Sequence, residues 1–576
     1  MPADPMAATA ARDDFLGHPK GLFICFFTEM WERFSFYGMK ALLLLYILKY
    51  HLFGDDAGYG LLGAYGGLVY AMPVVGGLLA DRYLGMRKAV VLGGVLLVLG
   101  HIGMAYEGEQ ARMVAGEAVR DEGALQVFYL SLALIVMGVG FLKPNISTIV
   151  GRLYADSDPR RDAGFTVFYA GINVGALFSA LVCAFLGETY GWKYGFGAAG
   201  VGMIAGLAVF LWGQKYLHGH AEPADPARLR ERIAGLSREW WIYLGSLGGV
   251  LVVWRLLQGA TLVHWTMHAI AILLLAWFAW FLWRHCTRVQ RQQMLALVLL
   301  IVGVLVFFTL YEQTYGSWVT FTDRLLTKDL FPMSPSGYVV ALPWALWALV
   351  ASPPLMVAAL AASDRGRHAT AKRLVVLMAT ALGIAFVHDV VLVPQTAGSL
   401  TFLGAFFIVV LAPVFAWLWP WLDRRGRNPS KPVKMGLGLV LAGLAFVPML
   451  LAARQAGADG ALASVWWLVL AYFVLELGEM CLSPIGLSAV TQLSVARVVG
   501  LMMGAFWLAT AYSEVLAAEF GKLASLDVVE GQALDFAVAA GRYGHLFEIM
   551  LWTGLGAGAL FLLMAPLARR WMHGVK

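Results

Sequence analysis

One apolar stretch, GLFICFFTEMWERFSFYGMKALLLLYIL, holds four charged residues. Glu29, Glu32, Arg33, Phe36, Tyr37 and Lys40 fall at offsets 0, 3, 4, 7, 8 and 11, the spacing of one helical face. That face is a polar and aromatic stripe roughly 16 Å long at ~1.5 Å per residue. A charge at the centre of a membrane-spanning helix costs about 2.5–3.5 kcal/mol on insertion scales, which makes such groups candidates for function. A bland alternative has Arg33 neutralising Glu29 at i+4 while Lys40 snorkels to the interface. Against it, three further apolar stretches carry Lys143, Glu312, and Glu476 with Glu479, charges that need partners on other helices. Pro144 and Pro484 follow Lys143 and Glu479 closely and would bend those helices. Asn173, between Gly171 and Gly175, adds an amide that either faces inward or serves close packing. Together these groups describe a polar cavity with Arg33 and Lys143 from the first half of the chain and Glu312 and Glu479 from the second. Such a cavity suits a zwitterion, and carboxylates and a lysine removed from water can exchange protons.

The elements that position these groups must be membrane helices. Of 576 residues, 60% are hydrophobic and only 14% charged, with 13% aromatic, which excludes both a water-soluble globule and a disordered chain. Sixteen long apolar stretches are expected to span, near 21–50, 58–80, 88–106, 124–151, 164–186, 194–217, 240–257, 262–283, 294–320, 337–362, 373–394, 398–422, 434–453, 464–492, 498–521 and 545–568. The segments 240–257, with Arg255, and 337–362, with Pro343, Pro353 and Pro354, could instead be interfacial or re-entrant, giving an all-α polytopic fold of 14–16 spans. With both termini cytoplasmic, 29 Lys and Arg residues fall inside and 10 outside, which fixes the orientation. The net charge of +6 is spread between the stretches, so no nucleic-acid patch forms. In 218–241, Arg228, Arg230 and Arg232 with Leu229, Ile233 and Leu236 suggest either an amphipathic helix on the membrane or a solvated linker. The first twenty residues lack the pattern of a removable signal peptide, and Cys25, Cys183, Cys286 and Cys481 are too scattered for disulfide or metal frameworks. Neither a metalloprotease, a serine-hydrolase nor a nucleotide-binding motif is present, so neither an enzyme nor an ATP-driven pump is expected, and no cofactor.

Glu29-Met-Trp-Glu32-Arg33 resembles the ExxER signature of the proton-coupled oligopeptide transporter family, a branch of the major facilitator superfamily. Phe141-Leu-Lys143-Pro-Asn, Phe168-Tyr-Ala-Gly-Ile-Asn173, Glu312-Gln and Gly478-Glu479-Met-Cys-Leu-Ser-Pro resemble its fourth, fifth, seventh and tenth helices, and Gly77 to Lys88 resembles the superfamily's loop between helices two and three. The resemblance implies a tail 1–20, a six-helix bundle 21–217, a linker with two inserted helices 218–293, a second bundle 294–568 with an extra helix pair near 337–394, and a tail 569–576. It further implies a symporter of di- and tripeptides with protons in the bacterial inner membrane, contacting lipid and requiring no protein partner. A carrier or antiporter of another small organic ion on the same scaffold is the rival reading. By resemblance Arg33 and Lys143 engage the peptide carboxylate and Asn173 and Glu479 the amine, while Tyr37, Tyr70 and Trp507 line the pocket. Glu29, Glu32, Arg33, Lys143 and Glu312 would couple protons, and Lys40 would close an outer gate with Glu312 or Asp323. Two positions depart from the pattern, Phe36 for a usual tyrosine and Phe308 for a frequent tryptophan, and both remove polar handles.

Overall fold

The computed structural model describes residues 14–155, 157–223, 225–331, 342–482, 486–526 and 534–575. Fourteen described helices are long and apolar enough to cross a membrane. In chain order they are α2 Asp55–Leu84, α3 Met86–Met104, α4 Glu122–Arg152, α5 Arg161–Tyr190, α6 Trp192–Leu217, α7 Arg238–Leu257, α8 Ala260–His285, α9 Arg288–Leu325, α10 Trp344–Asp364, α11 His368–Leu392, α12 Ser399–Arg424, α13 Lys431–Asp459, α15 Ala496–Ala524 and α16 Phe536–Trp571. Two more complete the series. The first, α1 Lys20–Lys49, has 30 residues and carries the charged stripe, and α14 Trp466–Leu482 carries Glu476 and Glu479. Pro484 lies outside the described residues; a short helix Gly486–Leu493 follows it.

Helix starts follow from local chemistry. Asp121 accepts from Ala124 N–H at 3.0 Å ahead of α4, and Asp535 caps α16 through Ala537 and Val538. Thr287 and Gln290 form a reciprocal capping box at α9. Close packing rests on small residues. A Cβ on Gly76 of α2 would lie 2.0 Å from the Gly140 carbonyl of α4, and one on Gly443 of α13 would lie 2.9 Å from the Leu551 carbonyl of α16.

Helices α1–α6 form one bundle, and α9 with α12–α16 form the other; they meet along two seams, α2 against α15 and α5 against α12. The hairpin α7–α8 packs on α4 and α2, and His264 of α8 hydrogen-bonds Glu519 of α15 at 2.7 Å, so α8 stands over the first seam. The extra pair is continuous helix of 21 and 25 residues, not a re-entrant loop. Asp389 of α11 accepts from Trp344 and Ala345 N–H at 2.8 Å each, supplying the first turn of α10 with acceptors from its neighbour. Phe386 of α11 meets Phe178 of α5 at 6.4 Å and Phe402 of α12 at 6.0 Å, so this pair stands over the second seam. Its turn is tied to the first bundle, where Asp364 accepts from Lys20 at 2.8 Å and from Tyr216 at 2.6 Å.

The stretch 218–241 is neither a helix on the membrane nor a free linker. It forms one short helix, Pro226–Arg230, then a two-stranded hairpin pairing Arg232–Ile233 with Leu236–Ser237. Ala234 and Gly235 at φ 49° and 86° make its turn, which ends any helical periodicity. Leu229 is buried, Arg228 and Arg238 lie over Tyr83, and Arg87 N–H donates to Ala221, so the segment folds back onto the loop between α2 and α3.

Candidate functional site

The stripe on α1 is almost wholly buried. Arg33 pairs with Glu32, donating Nη2–H to Oε1 at 2.6 Å, and its Nε lies 3.3 Å from Glu29. Its guanidinium also lies 4.9 Å from the Phe36 ring centroid, so carboxylates meet its N–H edge while a ring lies beside it. Two turns on, Lys40 is 2% exposed and donates to Glu312 and to Glu514 of α15 at 2.7 Å each. It does not snorkel, and its partner is Glu312 and not Asp323. Asp323 instead takes the half-exposed Lys49 at 2.6 Å.

Between the bundles lies a cavity of about 260 Å³. Tyr37, Tyr70, Lys143, Asn173, Glu312, Glu479 and Trp507 all stand in its wall. Lys143 makes no ion pair among the described residues; its ammonium lies 4.5 Å from the Tyr70 ring centroid and 5.3 Å from that of Trp507. Two aromatic faces thus hold a cation that carboxylates do not neutralise. Across the wall stands Glu479, with the fully buried Glu476 and Tyr311 beside it; among the described residues neither carboxyl group has a basic partner. The Asn173 amide donates to the Tyr169 carbonyl of its own helix at 3.0 Å. Arg33 is the exception to the sequence-based expectation: it does not line the cavity, because Glu29 and Glu32 hold it behind the wall.

Other wall residues had no place in the sequence reading: Tyr169, Tyr311, Tyr315 and Tyr472 give the site a tyrosine-rich lining. Tyr37 and Tyr315 stack at 6.1 Å, joining α1 to α9. Glu514 was also missed, although a charge in the middle of an apolar stretch is the same signal that exposed Lys143.

Among the described residues, the hydrogen bonds and ion pairs that join the bundles directly gather on the face opposite the termini. Besides Lys40 and Lys49, Arg324 grips Asp55 at 2.6 and 2.7 Å, Tyr59 bonds Thr320 at 2.7 Å, and Glu188 accepts from Gly398 N–H at 2.8 Å. That face is closed.

Two helical bundles around a midplane polar cavity, closed at one face, define a membrane transporter of the major facilitator type. The model of the POT family matches residues 87–345 and 395–531, and the chain belongs to that family. Most of α10–α11 falls between the two matched parts. The chain is 31% identical to the uncharacterized transporter YclF of Bacillus subtilis, over 97% of this chain and 96% of that protein. It is 29% identical to the peptide transporter YePEPT of Yersinia enterocolitica, over 96% of each chain. It is 32% identical to the di-/tripeptide transporter of Lactococcus lactis, over 88% of this chain and 90% of that one. The crystal structure of a peptide transporter POT in complex with sulfate superposes with a TM-score of 0.73 at 30% identity, covering 99% of this chain and 100% of that one. These relatives are transporters, and the chain is a transporter, not an enzyme.

Proposed function

We propose that this chain is a symporter that imports di- and tripeptides together with protons by alternating access, with both termini in the cytoplasm of a bacterium. The observation that carries the reading is the cavity wall, where Lys143 and Glu479, neither in an ion pair among the described residues, share one chamber. A peptide zwitterion presents the complement of each, its carboxylate to Lys143 and its amine to Glu479 with the Asn173 amide oxygen alongside. The tyrosines surrounding them supply apolar faces for side chains and hydroxyls for the peptide bond. The names of the relatives support the substrate class.

Proton coupling rests on Glu29, Glu32, Arg33 and Lys143. The Glu29–Arg33–Glu32 cluster lies directly behind the wall, so a peptide carboxylate drawn to Lys143 changes the charge that the two glutamates face. Lys40 with Glu312 then answers at the gate, since Glu312 both lines the cavity and holds Lys40. In this assignment the closed face is the outer one and the structure is inward-facing. Proteoliposomes holding the purified protein test the reading directly. An inward proton gradient should drive accumulation of labelled dialanine, and a protonophore should abolish it; accumulation indifferent to the protonophore, or counterflow only with non-peptide ions, would overturn it.

A further inference from the structure

A lateral groove of about 170 Å³ runs between α8 on one side and α9 and α15 on the other. Met267, Leu274 and Phe278 of α8, Val298 and Leu305 of α9 and Met502 of α15 contribute to its apolar lining. From Met267 to Phe278 it extends roughly 16 Å, close to one leaflet of a ~30 Å hydrocarbon core. At the end toward the closed face, His268 Nδ1 and the Tyr512 hydroxyl meet at 2.7 Å and cap it. At the other end, the face of the termini, three helix ends converge and bring Arg284, Arg288, Arg291 and Arg497 together, all of them exposed.

Two of these arginines are tethered at the mouth. Arg291 Nε–H donates to the Leu282 carbonyl at 3.1 Å, and Arg497 donates to the His285 carbonyl while its guanidinium lies 5.1 Å from the Phe281 ring centroid. Backbone carbonyls orient them without neutralising them. Among the described residues none of the four arginines forms an ion pair, whereas Arg87 and Lys88 at the start of α3 are both matched by glutamates. An apolar trough of leaflet depth ending in an uncompensated cationic cluster is complementary to one molecular shape, an acyl chain joined to a headgroup of net negative charge.

We infer that this groove is a binding site for one anionic phospholipid, with an acyl chain between α8 and the second bundle and the phosphate held by Arg291 and Arg497. Arginine suits the task because its fork can meet two phosphate oxygens at once. A zwitterionic phospholipid fits the trough equally well but brings its own cation against the cluster. The site is independent of whatever the central cavity carries.

Native mass spectrometry of the purified full chain, with added palmitoyl-oleoyl phosphatidylglycerol or the matching phosphatidylethanolamine, tests this. Phosphatidylglycerol should be retained in preference, and R291Q/R497Q should weaken it roughly thirtyfold, that is ~2 kcal/mol at ~1 kcal/mol per basic residue, while leaving phosphatidylethanolamine unchanged. Should that double variant fail to fold, R284Q/R288Q removes the other two charges of the cluster without touching either tether and should lower phosphatidylglycerol retention in the same sense. Ala509→Trp, which fills the trough, should reduce both lipids together. Equal retention of the two lipids by the unaltered chain, insensitivity of phosphatidylglycerol to the loss of the arginines, or a dimer that buries the groove in place of a lipid would each overturn the assignment.

Discussion

At the scale of single residues, what separates this site from an ordinary buried ion-pair network is that Lys143 and Glu479 are left without opposite charges. Lys143 lies over Tyr70 and Trp507 and makes no ion pair among the described residues, so a substrate carboxylate displaces no bound carboxylate to reach it. Lys143→Gln removes the charge and keeps a polar end one atom nearer the backbone; it should lower gradient-driven dipeptide uptake at least tenfold, ~1.4 kcal/mol, as read in proteoliposomes. Undiminished accumulation would remove Lys143 from coupling. Glu479→Gln should weaken free dipeptides far more than N-acetylated ones in competition assays, because only the free amine meets the carboxylate; equal losses would make Glu479 a gating group. A third prediction concerns the loop between α1 and α2. His51 is 2% exposed, its ring lies 4.8 Å from that of Tyr46, and burial, with Arg120 nearby, holds it down to about 4 from 6.5. The unfolded chain therefore binds more protons there in that interval, so the stabilisation is present above pH 6.5 and is lost as pH falls toward 4. Thermal unfolding across this range should show the loss in the unaltered protein and a shallower one in His51→Gln.

At the scale of elements, the ends of α1, α9 and α15 form a gate around one cation. Lys40 donates to two acidic side chains of the other bundle, Glu312 and Glu514. Lys40→Ala leaves both acids buried and unpaired, a change that typically costs ~3–5 kcal/mol, whereas Glu312→Gln or Glu514→Gln leaves Lys40 one partner. Cysteines placed on that face near α1 and α9 should thus react with an impermeant thiol reagent fastest in Lys40→Ala; equal rates in all three variants would deny Lys40 a gating role. The hairpin α10–α11 has its own keystone in Asp389. Asp389→Ala strips two first-turn N–H groups of their acceptor, worth about 0.5–2 kcal/mol for a helix cap, and hydrogen exchange at the start of α10 should accelerate while α1 is unaffected.

Across the whole molecule, how much could be read from sequence depended on contrast. A lysine or glutamate in an apolar run stands out, so Lys143, Glu312 and Glu479 were legible, as were the helices around them. Tyr169, Tyr311, Tyr315 and Tyr472 were not, since a tyrosine in a membrane helix carries no signal until the fold brings α5, α9 and α14 to one chamber. Arg33 was read as a substrate ligand because its type and face were visible. That Glu29 and Glu32 would both turn back to it was not. In 218–241 the spacing of leucines and arginines imitated a helix, and only the Ala234–Gly235 turn and the burial of Leu229 against the first bundle decided otherwise.

The two bundles meet laterally along α2–α15 and α5–α12, and α8 stands over the first seam while Phe386 of α11 lies between Phe178 and Phe402 at the second. Rocking bundles would otherwise present these clefts to hydrocarbon. With a helix posted at each, both flanks of the chamber are screened from the hydrocarbon. On the proposed function, cargo would then enter and leave through water along the axis, and greasy compounds that merely partition into the membrane would be kept from slipping past the charged wall.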